Sequence, residues 1–130
     1  MQHSTMTRNC IDLQRAVKWT FSYTAALLMA TSAIASTYVV NSTNDTDDGV
    51  CNGTHCSLRE AINAANANAG ADIINFNITG AGPHTISVTT TLPSLTDNSG
   101  VTIDGYSQPG AVANTNVTGG LNSTLKIVIS

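Results

Sequence analysis

Cys51-Asn52-Gly53-Thr54-His55-Cys56-Ser57-Leu58-Arg59-Glu60-Ala61-Ile62-Asn63-Ala64-Ala65-Asn66 is the stretch around which the 130-residue chain is organised. Ser57 followed three residues later by Glu60 is a capping-box pattern, in which the serine hydroxyl bonds the Glu60 amide and the Glu60 carboxylate returns to the Ser57 amide. Leu58, Ala61, Ile62 and Ala65 then fall at i, i+3, i+4 and i+7 and form one apolar stripe, while Arg59, Asn63 and Asn66 face elsewhere. This predicts a helix over Ser57–Asn68, with Gly70 supplying the backbone freedom at its end. About three turns of helix are unstable alone in water, so the stripe must lie on a hydrophobic surface.

Cys51 and Cys56 stand immediately before this cap, with four residues between them. We read them as a disulfide. A loop this small stabilises by only about 2 kcal/mol in the chain-entropy account, so its main use is to fix the chain where the helix begins.

The segment Cys-Ser-Leu-Arg-Glu-Ala-Ile at 56–62, followed by an Ala/Asn-rich helix, resembles the CSLREA domain. That domain is found near the N-termini of secreted bacterial proteins similar to right-handed parallel β-helices. Ala71–Phe76, His84–Ile86, Leu92–Leu95 and Val101–Gly110 look like the continuation such proteins carry, so the resemblance covers roughly residues 38–115. It implies export and a parallel β-helix.

Composition points the same way. Only 10% of residues are charged and 5% aromatic, amid abundant Asn, Thr, Ser, Ala and Gly, which fits an exported all-β chain better than a helical cytosolic enzyme. The net charge is −3. Beyond residue 20 the only basic side chains besides histidine are Arg59 and Lys126, against seven acids, so no basic surface for nucleic acid exists.

Residues 1–35 read as a secretory signal peptide: a basic region to Lys18, an apolar core from Trp19 to Ala30, and Ala33-Ile34-Ala35 as a small-residue cleavage site. Cleavage is expected between Ala35 and Ser36. A membrane anchor is the competing reading, but the apolar core carries Thr20, Ser22 and Thr24 and falls short of the roughly 20 residues a span needs. Export also removes Cys10 and leaves Cys51 and Cys56 as an even pair in an oxidising compartment.

Residues 36–70 are then expected to form an N-terminal cap of strand, acidic loop, disulfide and helix. Thr37–Asn41 has the β-branched and aromatic content of a short strand. In the polar run Ser42–Gly49, Asp45, Asp47 and Asp48 crowd three carboxylates into four positions, a pattern of hard oxygen ligands that suits calcium. The EF-hand register fails, because Gly49 comes one position early and Cys56 stands where the closing glutamate belongs. A solvated acidic loop is the favoured reading, with calcium as the one cofactor to test.

Residues 71–130 alternate. Ile74, Phe76 and Ile78 share one face, then Ile86 and Val88, Leu92 and Leu95 around Pro93, Val101 and Ile103, and finally Leu125, Ile127 and Ile129. Ile74 to Ile103 is 29 residues and Ile103 to Ile127 is 24, close to one coil of a parallel β-helix. No Asn-Gly or Asp-Gly pair joins two strands by a two-residue loop, which argues against a hairpin-built sandwich. The expected fold is therefore the first two to three coils of a right-handed parallel β-helix, with the Ser57–Asn68 helix covering its first hydrophobic end near Ile74 and Phe76. The sequence stops in mid-strand at Ser130, so further coils of a longer chain, or self-association at this edge, are expected to cover it.

No catalytic constellation stands out. His55 and His84 lack partner carboxylates at motif spacing. Cys51, His55 and Cys56 offer three zinc-type ligands, but exported cysteines favour oxidation. Asp72, Asp97 and Asp104 are the only acids, and Lys126 the only basic side chain besides His84, among the strand segments. Sequons at Asn41, Asn44, Asn52, Asn77, Asn116 and Asn122 arise readily in an Asn/Thr-rich chain. The function expected is a non-catalytic, exported module for surface adhesion or glycan contact. The competing reading is the N-terminal part of a polysaccharide lyase or glycoside hydrolase whose site lies beyond residue 130.

Overall fold

The computed structural model describes residues 33–130. The basic region and apolar core of the expected signal peptide lie outside the described residues. Among the described residues no helix is long and apolar enough to cross a membrane.

The described residues form five short strands and one α-helix: β1 (Thr37–Val40), α1 (Leu58–Ala67), β2 (Asp72–Phe76), β3 (His84–Ile86), β4 (Val101–Asp104) and β5 (Ile127–Ile129), with a 3₁₀ turn at Gly105–Ser107. One sheet has the order β1-β2-β4 and the other pairs β3 with β5, and every pairing is parallel. Parallel neighbours need a long crossover, and α1 lies in the one between β1 and β2. Tyr38 stands beside Ile74 and Ile74 beside Ile103, so β2 is the central strand.

The apolar alternation of β2 explains its position. Asp72, Ile74 and Phe76 are buried while Ile73 is exposed, and Ile78 continues the buried face beyond the strand. Against this face pack Val40 from β1, Ile86 from β3, and the α1 stripe Leu58, Ala61, Ile62 and Ala65. Burial of this stripe, at about 25 cal/mol per Å² of apolar surface, holds a helix that would not persist alone. One hydrophobic core thus joins residues from both 36–70 and 71–130.

This arrangement overturns the expectation of an all-β, right-handed parallel β-helix. The sheets are open, only three and two strands wide, and a helix is packed on the larger one, so the class is mixed α and β. β5 lies beside β3 rather than β4, so the 24-residue interval from Ile103 to Ile127 does not join neighbouring strands. Ile103 is 42% exposed, Leu125 62% and Ile129 51%, which removes them from the inward rows the coil reading required. The physical reason is that a one-faced alternation looks the same in a stacked coil and in a small open sheet; it reports which face is apolar and says nothing of the neighbour.

The far end of β2 is closed by side chains. Phe76 N–H donates to Ser107 Oγ at 2.7 Å. Gln108, buried, accepts from Ile78 N–H and donates to Ile78 C=O, both at 2.8 Å, so one amide takes the place of a strand neighbour.

Candidate functional site

The helix start is tied down by hydrogen bonds from several segments. Ser57 is the N-cap of α1: its hydroxyl accepts from Glu60 N–H at 3.2 Å, and Ser57 N–H donates to Glu60 Oε2 at 2.8 Å. Glu60 is almost fully buried and its second oxygen accepts from Asp48 N–H at 2.7 Å, so the capping carboxylate also anchors the acidic loop. A carboxylate held by two backbone donors, one on each oxygen, at a helix N-terminus is compensated for its burial. The helix ends at Asn68, whose extended backbone bonds Ala64 and Ala65; Gly70, with φ +139°, follows two residues later.

Cys51 and Cys56 form a disulfide. Within its loop Asn52 Oδ1 accepts from Thr54 and His55 N–H, and Asn52 N–H donates to His55 C=O at 2.9 Å. Asn41, at the end of β1, straps this loop to the sheet. Its Oδ1 accepts from Cys56 N–H at 2.7 Å, its amide donates to Asn52 and Gly53 carbonyls, and its own N–H donates to Cys56 C=O. With the thiols joined, the Cys51/His55/Cys56 zinc set has no thiolates to offer.

Asp45, Asp47 and Asp48 do not converge. Asp45 meets Arg59 and Thr89; Asp47 accepts from Gly49 N–H and the Asn63 amide, both at 3.0 Å. Asp48 instead points Oδ2 toward His55 Nδ1 at 3.6 Å, and that ring nitrogen lies 3.0 Å from Glu60 Oε2. These three side chains are a group whose ligand atoms all lie within 4.8 Å of one another, a different set from the three loop aspartates. His55 Nε2 lies 3.0 Å from Asn44 Oδ1, while Nδ1 is buried and out of hydrogen-bond alignment.

Arg59 holds three parts of the chain together. It grips Asp45 with Nε and Nη2, and its Nη2 and Nη1 donate to the Thr90 and Thr91 carbonyls at 2.8 and 3.0 Å. Hydrogen bonding from Arg59, and then from Thr89, holds the Asp45 carboxyl well below the usual carboxylate range, and Asp45 in turn raises the guanidinium.

Elsewhere the remaining candidates are dispersed. Asp97 accepts from Ser99 N–H and Asp104 from Tyr106 N–H, both turn roles. Lys126 donates to Ala81 C=O, and His84 opens β3 with no carboxylate among its bonds in the described residues. Asp72 is buried at the start of β2 beside Ser36. Sequence reasoning gave no role to the side chains of Asn41 and Gln108, whose partners are distant in sequence, or to that of Asn68, which joins distant Ile34 to nearby Asp72.

Beside β1 lies an open groove of about 450 Å³ between Tyr38, the disulfide loop and the Asn77–Thr79 segment. Its lining carries Thr37, Asn41, Asn52, Asn77 and Thr79, and no charged side chain. Asn41 and Asn52 are spent on the loop, which leaves the Asn77 amide, two threonine hydroxyls and the exposed part of Tyr38, a side chain otherwise packed against the core, to meet a ligand.

No family profile, no curated protein and no solved structure matches the chain.

Proposed function

We propose that this chain is an exported, non-catalytic module that contacts uncharged glycan through the groove beside Tyr38. The observation that carries the reading is the lining itself. Sugar rings present apolar C–H faces rimmed by hydroxyls, and an aromatic ring flanked by amide and hydroxyl groups answers both without the cost of burying a charge. Asp45 and Glu60 are spent on holding the acidic loop and helix start in place, which fits a non-catalytic role. Export is supported by the disulfide, by the basic and apolar N-terminal pattern, and by the resemblance of Cys56–Ile62 to the CSLREA domain.

Affinity electrophoresis against soluble neutral polysaccharides, with polygalacturonate as an anionic control, tests this. At least one neutral glycan should retard the protein, with Asn77→Ala weakening binding by about tenfold while leaving the circular dichroism unchanged. Absence of retardation across the panel refutes glycan contact, and new reducing ends or unsaturated products refute a non-catalytic role.

A further inference from the structure

Asp72 is 1% exposed, yet only one of its oxygens is satisfied. Oδ1 accepts from the Ser36 backbone N–H at 2.7 Å and from the Asn68 amide at 2.8 Å, while Oδ2 is buried with no hydrogen-bond partner among the described residues. Neither donor is charged. The one arginine and one lysine of the described residues are engaged elsewhere, Arg59 on Asp45 and Lys126 on Ala81. A buried carboxylate with neutral partners and an orphaned oxygen is a costly arrangement, and proteins retain one when a cation completes it.

The cation is one bond away. Ser36 C=O accepts from Ile73 N–H at 2.9 Å, so Ser36 is held at the head of the β1–β2 ladder by its own carbonyl, whatever precedes it. Its nitrogen already lies against Asp72. As a peptide N–H it offers one proton; as an α-ammonium it offers three and a full positive charge, enough for both carboxylate oxygens. Upstream, Ala33, Ile34 and Ala35 are exposed and carry no regular structure, and Ile34 is tied to α1 by a 2.8 Å bond from the Asn68 amide. That tie belongs to the uncut chain, whereas the bonds to Asp72 belong to either form.

We propose that hydrolysis of the Ala35–Ser36 peptide bond produces the working form of this protein, in which the Ser36 α-ammonium is the counter-ion of buried Asp72. The step consumes one water: its oxygen joins the Ala35 carbonyl carbon, the C–N bond breaks, and the protons pass to nitrogen, leaving an Ala35 carboxylate and a Ser36 ammonium. The agent is a peptidase that accepts alanine at the first and third positions before the cut. The inference rests on the export reading for the position of the cut, and adds that the new terminus is a structural part of the fold.

The test uses the full chain, expressed with its own N-terminus in a secreting bacterial host. The exported protein is analysed by N-terminal mass spectrometry. It is then acylated with acetic anhydride near neutral pH, in buffer and in urea, for the parent and Asp72→Asn. The expected result is a chain beginning at Ser36 whose α-amine reacts about tenfold or more slowly when folded than when unfolded, because a raised amine is less often deprotonated. Asp72→Asn should abolish most of this protection; if that variant does not fold, the parent's folded-to-unfolded ratio decides alone. An exported chain that begins elsewhere, or a Ser36 amine that reacts equally fast in both states, overturns the inference and leaves export standing. Retention of the whole chain inside the cell overturns both.

Discussion

Arg59 closes on Asp45 as a fork on a carboxylate, Nε to Oδ1 at 3.0 Å and Nη2 to Oδ2 at 2.8 Å, with both side chains largely shielded from water. Thr89 completes the site through its backbone N–H and its hydroxyl, at 2.9 and 2.8 Å from the same Asp45 oxygen. The acidic loop, α1 and the segment after β3 therefore share one junction. The guanidinium supplies planar, bidentate geometry that an ammonium lacks. Arg59→Lys should accordingly recover only part of the stability lost in Arg59→Ala, and both variants should be cut faster by protease within Ser42–Gly49 and Thr89–Thr91. Equal stability of lysine variant and parent in urea titration would show that charge alone suffices.

The same junction sets an acid dependence. The folded Asp45 carboxyl lies below its ordinary value of 3.8, so the unfolded chain takes up its proton first as pH falls. The contribution of Asp45 is therefore fully present above about pH 3.8 and is lost progressively below it. Between neutral pH and pH 3 the parent should lose more stability than Asp45→Asn, whose curve lacks this step. Parallel curves for the two proteins, followed by fluorescence or circular dichroism, would remove Asp45 as the source.

Capping is testable at Ser57. Ser57→Ala removes the acceptor of the Glu60 N–H inside a buried helix start and should cost about 1 kcal/mol, toward 2 where water cannot replace the hydroxyl. Ser57→Asp, which keeps an acceptor at the N-cap, should recover part of this. Urea midpoints with an unchanged slope are the appropriate measurement.

How far the sequence reveals this molecule depends on the range of the interaction. The helix start is legible because Ser57 and Glu60 satisfy each other within one turn, and the Leu58/Ala61/Ile62/Ala65 stripe because one helix generates its own periodicity. The alternation of Ile74, Phe76 and Ile78 is legible for the same reason. What stands next to what is not. Ile127 pairs with His84 and not with a residue one repeat away, and Asp45 is claimed by Arg59 and Thr89, 14 and 44 positions distant. Three carboxylates in four residues therefore look like a shared ligand set although each goes to a different partner. His55, which has no partner carboxylate at motif spacing in the sequence, stands between Asp48 and Glu60 for a reason only the folded loop supplies.

Breaking the Cys51–Cys56 bond should weaken the protein without unfolding it. The closed loop is short, so the chain-entropy contribution is about 2 kcal/mol, and the Asn41 bonds to Cys56, Asn52 and Gly53 survive the change. Cys51→Ala/Cys56→Ala should keep the parent circular dichroism and melt lower. Asn41→Ala should make the loop depend on the disulfide, so that the triple variant loses more stability than the two changes summed. Strict additivity in urea would mean the strap and the disulfide hold different things.

Gln108 offers the sharpest test of how β2 is terminated. Its amide satisfies both Ile78 N–H and Ile78 C=O, with every atom of the pair buried. Gln108→Leu preserves bulk but leaves two backbone groups without partners, and each buried orphan costs about 1–3 kcal/mol, so the substitution should rank among the most damaging outside the apolar core. Gln108→Glu is the informative companion. Ionised, it retains an acceptor for Ile78 N–H but turns a negative oxygen toward Ile78 C=O; protonated, it again donates there. The glutamate variant should therefore gain stability relative to the parent as pH falls from 7 toward 5, opposite in sign to the Asp45 effect. A Gln108→Leu protein as stable as the parent would show that water, rather than this amide, can close the end of β2.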